Sequence, residues 1–325
     1  MKISVALCSY NGAKYIKEQL DSILSQTSNI EEIIICDDIS TDGTWEILKN
    51  YQNNFSEKIK IFQNTERLGV MFNFQQALMK CTGDIILLSD QDDIWLTNKA
   101  EFFDSYFIEN KGIDLLFSNA EILDETAKIT HLSLFDLLNF NTKTQAAFNC
   151  GFGLEMSELL GRVSGFTIGV RKSFVQKCLP FLKDYEYFIH DKQLVLCAIQ
   201  KGTIAFTSEC LTKYRIHPEQ TSDLYNYLIN HNYLNNENLL FRFAPIREDD
   251  ISFLKQKGFK NKRFDFSDKR RRIIKSPLGL FLISLNFILY KKYYKQYACK
   301  AMFFDIESFF KLNKIRITHL FSKKE

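Results

Sequence analysis

Asp90, Asp92 and Asp93 stand together in GDIILLSDQDDIW, directly after the apolar run of residues 85–88. Crowded carboxylates repel and raise one another's pKa, so the cluster is costly unless something positive answers it. A hard divalent cation is one answer: Mg2+ or Mn2+ takes oxygen ligands and is commonly held by one or two carboxylates together with the phosphates of a ligand. Spaced as DxD, Asp90 and Asp92 can turn one carboxylate to a ribose hydroxyl and the other to the metal. Alone the triplet is weak evidence, because acidic triplets also occur on solvated loops.

The segments around it form a pattern. Residues 3–8 read as a strand, and residues 13–25 as a helix with Tyr15, Ile16, Leu20, Ile23 and Leu24 at helical spacing. Strands at 32–36, 59–63 and 84–88 then alternate with helices at 44–51 and 70–80. This βαβαβαβ order predicts a mostly parallel sheet flanked by helices. In such sheets the ligand sits beyond the carboxyl ends of the strands, which is where CSYNG (8–12), DDISTDG (37–43) and SDQDD (89–93) fall. Further on, 114–119 and 203–216 read as strands. Residues 173–179 and 191–200 read as helices, the second stopped by Gly202, while 131–160 is mixed.

With 325 residues, 30 Phe and only 4 Pro, the chain reads as globular rather than linker-rich. Eight cysteines without a CxxC pair argue against a zinc site. The start, MKISVALCSYNG, is too short an apolar run for a signal peptide, so the thiols are expected reduced and the protein cytoplasmic. The net charge of +3 hides an asymmetry: residues 255–325 hold 19 Lys and Arg against 5 acids, and the preceding residues 23 against 34. The reading is a domain over 1–222 and a helical, basic carboxyl-terminal region over 223–325. Within it the apolar run 278–290, between residues 269–272 (KRRR) and 291–292 (KK), is shorter than the roughly 20 residues that span a bilayer. It fits a helix lying on an anionic membrane surface, with packing on the main domain as the competing reading. Nucleic acid is not an expected partner, since the tail's tyrosines lie on an apolar helix rather than on a sheet platform.

SVALCSYNGAKYIKEQLDSILSQT, IIICDDISTDGT and ERLGVMFNFQQALMKCTGDIILLSDQDDIW resemble, in order and spacing, the amino-terminal half of family 2 glycosyltransferases of the GT-A fold. Residues 1–100 match closely and 160–220 more loosely. The resemblance implies an α/β, Rossmann-like mixed sheet. It also implies that Ser9, Tyr10 and Asn11, with Asp37 and Asp38, line the base and ribose of a nucleotide sugar, with Asp90 on the ribose and Asp92 on Mn2+ or Mg2+. Asp37, Asp38 and Asp42 have a competing reading as turn and cap residues. Asn73 matches the Asn of the third motif. The basic residue often found before it is Phe72 here, so the way that loop meets the donor is in doubt, and Arg67 is the nearby charge.

In the second half, GRVSGFTIGVRKSF resembles the family's glycine loop, with Gly165 allowing close approach beside the donor sugar. YFIHDKQLVLCA places Asp191 where the family has its general base, helix capping being the alternative. In LTKYRIHPEQTS, His217 matches the histidine that completes metal or diphosphate binding, and Arg215 reads either as a diphosphate contact or as a structural salt bridge. With SDQDDIW, these segments are most similar to rhamnosyltransferase-like members. The implied activity is inverting transfer of a sugar, rhamnose among the candidates, from a UDP or dTDP donor to a saccharide or lipid-linked saccharide, at the inner face of the cell membrane. The alternative is a non-catalytic nucleotide-sugar-binding or scaffold protein of the same fold.

Overall fold

A computed structural model of the chain describes residues 1–123, 129–149, 161–182, 189–201 and 203–220. Gly202 and the entire 223–325 region, with its basic and apolar runs, lie outside the described residues. The chain forms two compact units, Met1–Asn139 with Leu160–Ala244 and Phe140–Leu159 with Pro245–Glu325. The described part of the second unit is a helix, Thr142–Asn149. Among the described residues no helix is long and apolar enough to cross a membrane.

The first unit opens with the expected alternation: β1 (Ile3–Ser9), α1 (Ile16–Leu24), β2 (Glu32–Asp37), α2 (Thr44–Asn54), β3 (Ile59–Gln63), α3 (Gly69–Lys80) and β4 (Ile85–Ser89). Strands β1, β2 and β4 are buried along their whole length, as strands covered on both faces must be. Helix α1 forms because Ile16, Leu20 and Ile23 fall on one face and go into the core. β3, β2, β1 and β4 are joined in parallel, which places all their carboxyl ends on one edge.

The remaining elements are β5 (Ile94–Trp95), α4 (Lys99–Glu109), β6 (Leu115–Leu123), β7 (Ile129–Ser133), α5 (Leu134–Leu137), β8 (Ile168–Arg171), α7 (Lys172–Cys178), α8 (His190–Lys201) and β9 (Ile204–Arg215), α6 being the Thr142–Asn149 helix. The sheet runs β3-β2-β1-β4-β8-β6-β9-β5, with β7 on β6. It is mixed, since β8 is antiparallel to both β4 and β6. Several elements were not among those expected. The segment read as a glycine turn holds a 3-10 turn, Gly165–Thr167, followed by the central strand β8. Helix α4 packs through Ala100, Phe103 and Phe107, all fully buried. The two-residue β5 pairs with β9 through Ile94↔Lys213 and Trp95↔Thr212, carrying the acid loop across to the far end of the sheet.

At the amino ends of the strands one buried carboxylate ties several elements together. Glu32 is 2% exposed. It accepts hydrogen bonds from Ser4 Oγ at 2.7 Å, Thr82 Oγ1 at 2.8 Å, Lys60 Nζ at 2.8 Å and the Thr82 amide. Burial works against its charge, but these donors, Lys60 foremost, outweigh it and hold the carboxyl at about 2. A folded-state pKa below the unfolded one supplies stability that is present above about 4.5 and lost as the pH falls to about 2. Glu32→Gln is therefore expected to lower unfolding stability at pH 7 by about 2 kcal/mol, with the gap to the parent closing across that acid window. Urea titrations at several pH values measure it, and a gap independent of pH would contradict this account.

Candidate active site

At the ends of β1 and β2 the two loops are laced together. Ser9 Oγ donates to Asp37 Oδ1 at 2.9 Å, the Asp38 amide to Ser9 O at 2.8 Å, and the Asn11 amide to Ser40 Oγ at 2.9 Å. The Thr41 amide donates to Asn11 Oδ1 at 2.8 Å. Asn11 and Ile39 sit at φ 50° and 60°, in the left-handed region that a β-branched residue rarely enters, so this lacing holds a strained backbone.

The two aspartates are engaged within the chain. Asp37 accepts from Ser9, from the Ser40 amide and hydroxyl, and from Gln63 Nε2 at 3.0 Å. Asp38 accepts from Asn64 Nδ2 and from the Leu68 and Gly69 amides, each at 2.8 Å. Asn73 lies one step further in, accepting from Asn64 at 2.9 Å and donating to Cys36 O at 2.9 Å. Asp42 takes up the cap-like duty, accepting from the Thr44 amide and hydroxyl and from the Ala13 amide. Tyr10 remains presented, 37% exposed, with the Arg67 guanidinium over its ring at 4.0 Å.

The acid loop follows β4 and is gripped from several sides. Gln19, fully buried on α1, donates to Ser89 Oγ at 2.6 Å and Asp90 O at 3.1 Å. Gln91 clasps Tyr10, accepting from its amide at 2.8 Å and donating to its carbonyl at 3.0 Å. It lies where a side chain on Gly12 would be, so close that a Cβ there would stand 2.2 Å from Gln91 Oε1. Arg215, buried, donates through Nε to Asp92 O at 3.1 Å and to Glu18 at 2.6 Å, which makes it the structural salt bridge of the two readings. Its amide donates to Asp93 Oδ1 at 3.2 Å.

The electrostatics of the three acids differ. Burial, then the charges of Asp92 and Asp191, push Asp90 up to about 8 against the pull of Lys99. Burial and the same crowding raise Asp93 well above the usual carboxylate range. Asp92 is the one that meets a partner at the mouth of the loop: its Oδ2 is 3.0 Å from His217 Nε2. The His217 ring is buried and packs on Tyr15 with centroids 4.7 Å apart, while among the described residues its Nδ1 has no hydrogen-bond partner.

Among the described residues no group of three or more His, Cys, Asp and Glu is arranged to hold a metal. The Asp92–His217 pair suits an oxygen- and imidazole-accepting ion such as Mn2+ whose remaining ligands come from a bound diphosphate and water. It does not suit an ion caged by protein alone.

Across from the acids, Asp191 occupies the second position of α8, where its Oδ1 accepts from the Lys192 amide at 2.6 Å. It is 6% exposed, and its charge reaches Asp90. His190 beside it is buried and stacked on Phe74, with ring centroids 3.8 Å apart at 16°. Burial lowers its pKa to about 4, so the imidazole is neutral, and among the described residues neither ring nitrogen has a hydrogen-bond partner. A Cβ on Gly165 would come within 2.9 Å of His190 Nε2 and 3.5 Å of Asp191 Cβ. The close approach that Gly165 permits is thus by the start of α8.

Lys99 was not singled out from sequence. Fully buried at the start of α4, it donates to Phe166 O and Thr212 Oγ1, both at 2.8 Å, and lies 4.2 Å over the Trp95 ring. Burial lowers its pKa to about 7, opposed by Asp93 and Asp90. Only the acidic triplet itself hinted that a cation was needed nearby. Gln19 and Gln91 carried no sequence signal beyond the latter's place between the acids.

The packing of Gly165 on His190 can be tested by a double-mutant cycle. Gly165→Ala is expected to cost about 1–3 kcal/mol of stability through overpacking, and His190→Ala in the same chain to return part of that loss. Thermal or urea unfolding of the single and double variants reads the coupling, and strictly additive losses would contradict the contact.

The sequence model of glycosyl transferase family 2 matches residues 4–158. A glycosyltransferase of Nostoc sp. described only as uncharacterized is 29% identical over 231 residues, 67% of this chain and 65% of that one, so the chain spans just under two thirds of that relative. TuaG of Bacillus subtilis, a putative teichuronic acid biosynthesis glycosyltransferase, is 36% identical over 221 residues, covering 66% of this chain and 79% of TuaG. Among solved structures, S. aureus TarS 1-349 in complex with UDP-GlcNAc is similar at a TM-score of 0.51 and 18% identity, covering 95% of this chain and 88% of that one. At that identity the likeness is one of fold. With the parallel half-sheet, the laced strand ends and the relative in Bacillus all agreeing, the chain belongs to the family 2 glycosyltransferases.

Proposed function

We propose that the protein moves a sugar from a nucleoside diphosphate, UDP or dTDP, to a hydroxyl of a saccharide acceptor, with inversion at the anomeric carbon. The observation that carries this reading is the meeting of two acid groups from distant parts of the chain, the loop after β4 and Asp191 on α8, close enough for Asp191 to act on Asp90. Support for a nucleotide-sugar donor comes from TarS, solved with UDP-GlcNAc. Support for a role in cell-surface polysaccharide synthesis comes from TuaG, named for teichuronic acid. Rhamnose as the donor sugar, and a lipid-linked acceptor at the inner membrane face, rest on the YRIH and SDQDDIW segments and on the basic tail.

In this reading Ser9, Tyr10 and Asn11 present the base and ribose pocket. Asp37 and Asp38 line the same pocket while their hydrogen bonds hold its loops, Asn73 joins them on the donor side, and Asp90 turns to the ribose. Asp92 and His217 would hold Mn2+ or Mg2+, which when bound neutralises charge on the leaving diphosphate. Asp191 takes the proton of the acceptor hydroxyl as that oxygen forms its bond to the anomeric carbon. The bond from that carbon to the diphosphate oxygen breaks on the opposite face, and the electron pair leaves with the nucleoside diphosphate. Gly165 and His190 set where Asp191 stands.

Replacing the base isolates its role. Asp191→Asn is expected to lower kcat about 10²- to 10⁴-fold while nucleotide affinity stays unchanged, as read by product formation and by calorimetry on the same preparation. Undiminished transfer would show that another group accepts the proton.

A further inference from the structure

The acid loop has a cation of its own. Lys99 is the fully buried ammonium between that loop and the sugar-side turn, and its two hydrogen bonds reach different elements: Phe166 O, the carbonyl immediately after Gly165, and Thr212 Oγ1 on β9. Thr212 faces Trp95 across the β5–β9 pair, and the Lys99 amine lies on the Trp95 ring. Asp93, at the end of the acid loop, is 1% exposed, and among the described residues its Oδ2 has no hydrogen-bond partner. Gly165 in turn packs on His190 and Asp191.

We propose that Lys99 is a positioning residue of the transfer reaction: its buried amine ties the Gly165 turn to the β5–β9 pair that closes the acid loop, setting the distance between the donor's diphosphate site and Asp191. The proposal rests on the transfer reading above. A site loosened by about an ångström loses about 10²-fold in rate without losing its ligands. The ammonium is a fixture of the protein, present before any metal or donor arrives.

The test uses the full chain with Lys99→Met. Phe107→Leu, two turns along the same helix and away from the acids, is the control for general destabilisation. With each variant assayed at the same interval below its melting temperature, Lys99→Met is expected to lower kcat about 10²-fold with a much smaller change in donor KM, whereas Phe107→Leu keeps the parental kcat. Thr212→Val keeps the ammonium and removes one of its anchors. It is expected to show the same split at smaller size, and it serves if Lys99→Met does not fold. Equal kcat for Lys99→Met and Phe107→Leu, or for Thr212→Val and the parent, overturns the proposal.

Should the unaltered chain transfer no sugar from any donor tried, it is the transfer reading that has failed. Hydrogen exchange then decides the structural part. Faster exchange at both 92–95 and 165–168 in Lys99→Met, but not in Phe107→Leu, upholds the tie, and unchanged exchange at either segment overturns it.

Discussion

Three carboxylates at the mouth of a buried strand cannot stand in that place uncompensated, and most of what surrounds β4 answers them. From within come Lys99 and the Arg215 amide. From the sides come Gln19 and Gln91, which bind the loop's backbone and its neighbour Tyr10 rather than its charge. Toward the open side, His217 meets Asp92. The compensation is uneven: Asp93 is enclosed and Asp90 partly so, while Asp92 faces the His217 imidazole.

The same residue type therefore does two jobs in one site. Asp37 and Asp38 have their oxygens engaged by hydroxyls, amides and carboxamides of the chain, bonds that join the loops after β1, β2 and β3. Among the described residues Asp92 meets His217 and Asp191 accepts from the Lys192 amide.

Much of the first half was legible in the sequence. Apolar runs of five or six residues alternating with helically spaced segments lead to β1 through β4, because strands buried on both faces and amphipathic helices leave different periods. The parallel order then places the polar loops on one edge. The second half was harder. β8 is four residues with a glycine inside it, and reads as a turn until the sheet shows it between β4 and β6. β5 is two residues long. Lys99 sits in LTNKAEFF, which looks like any solvated helix start, and its burial goes with contacts to Phe166 and Thr212, far away in the chain. Gly165 was picked out for nearness to a ligand, and its missing side chain makes room first for His190. Pairings between residues more than a hundred positions apart, such as Lys99 with Thr212, leave no local pattern to read.

The central claim is that the open side of the acid loop, Asp92 with His217, gains a divalent ion together with a nucleotide's diphosphate. Calorimetric titration of the protein with UDP and with dTDP, in the presence and absence of Mn2+, tests it most directly. The account predicts that Mn2+ strengthens binding of at least one nucleotide by at least about tenfold, or 1.4 kcal/mol, and that Asp92→Asn removes the gain. Equal affinity for both nucleotides with and without the ion, or a gain that survives Asp92→Asn, would contradict it.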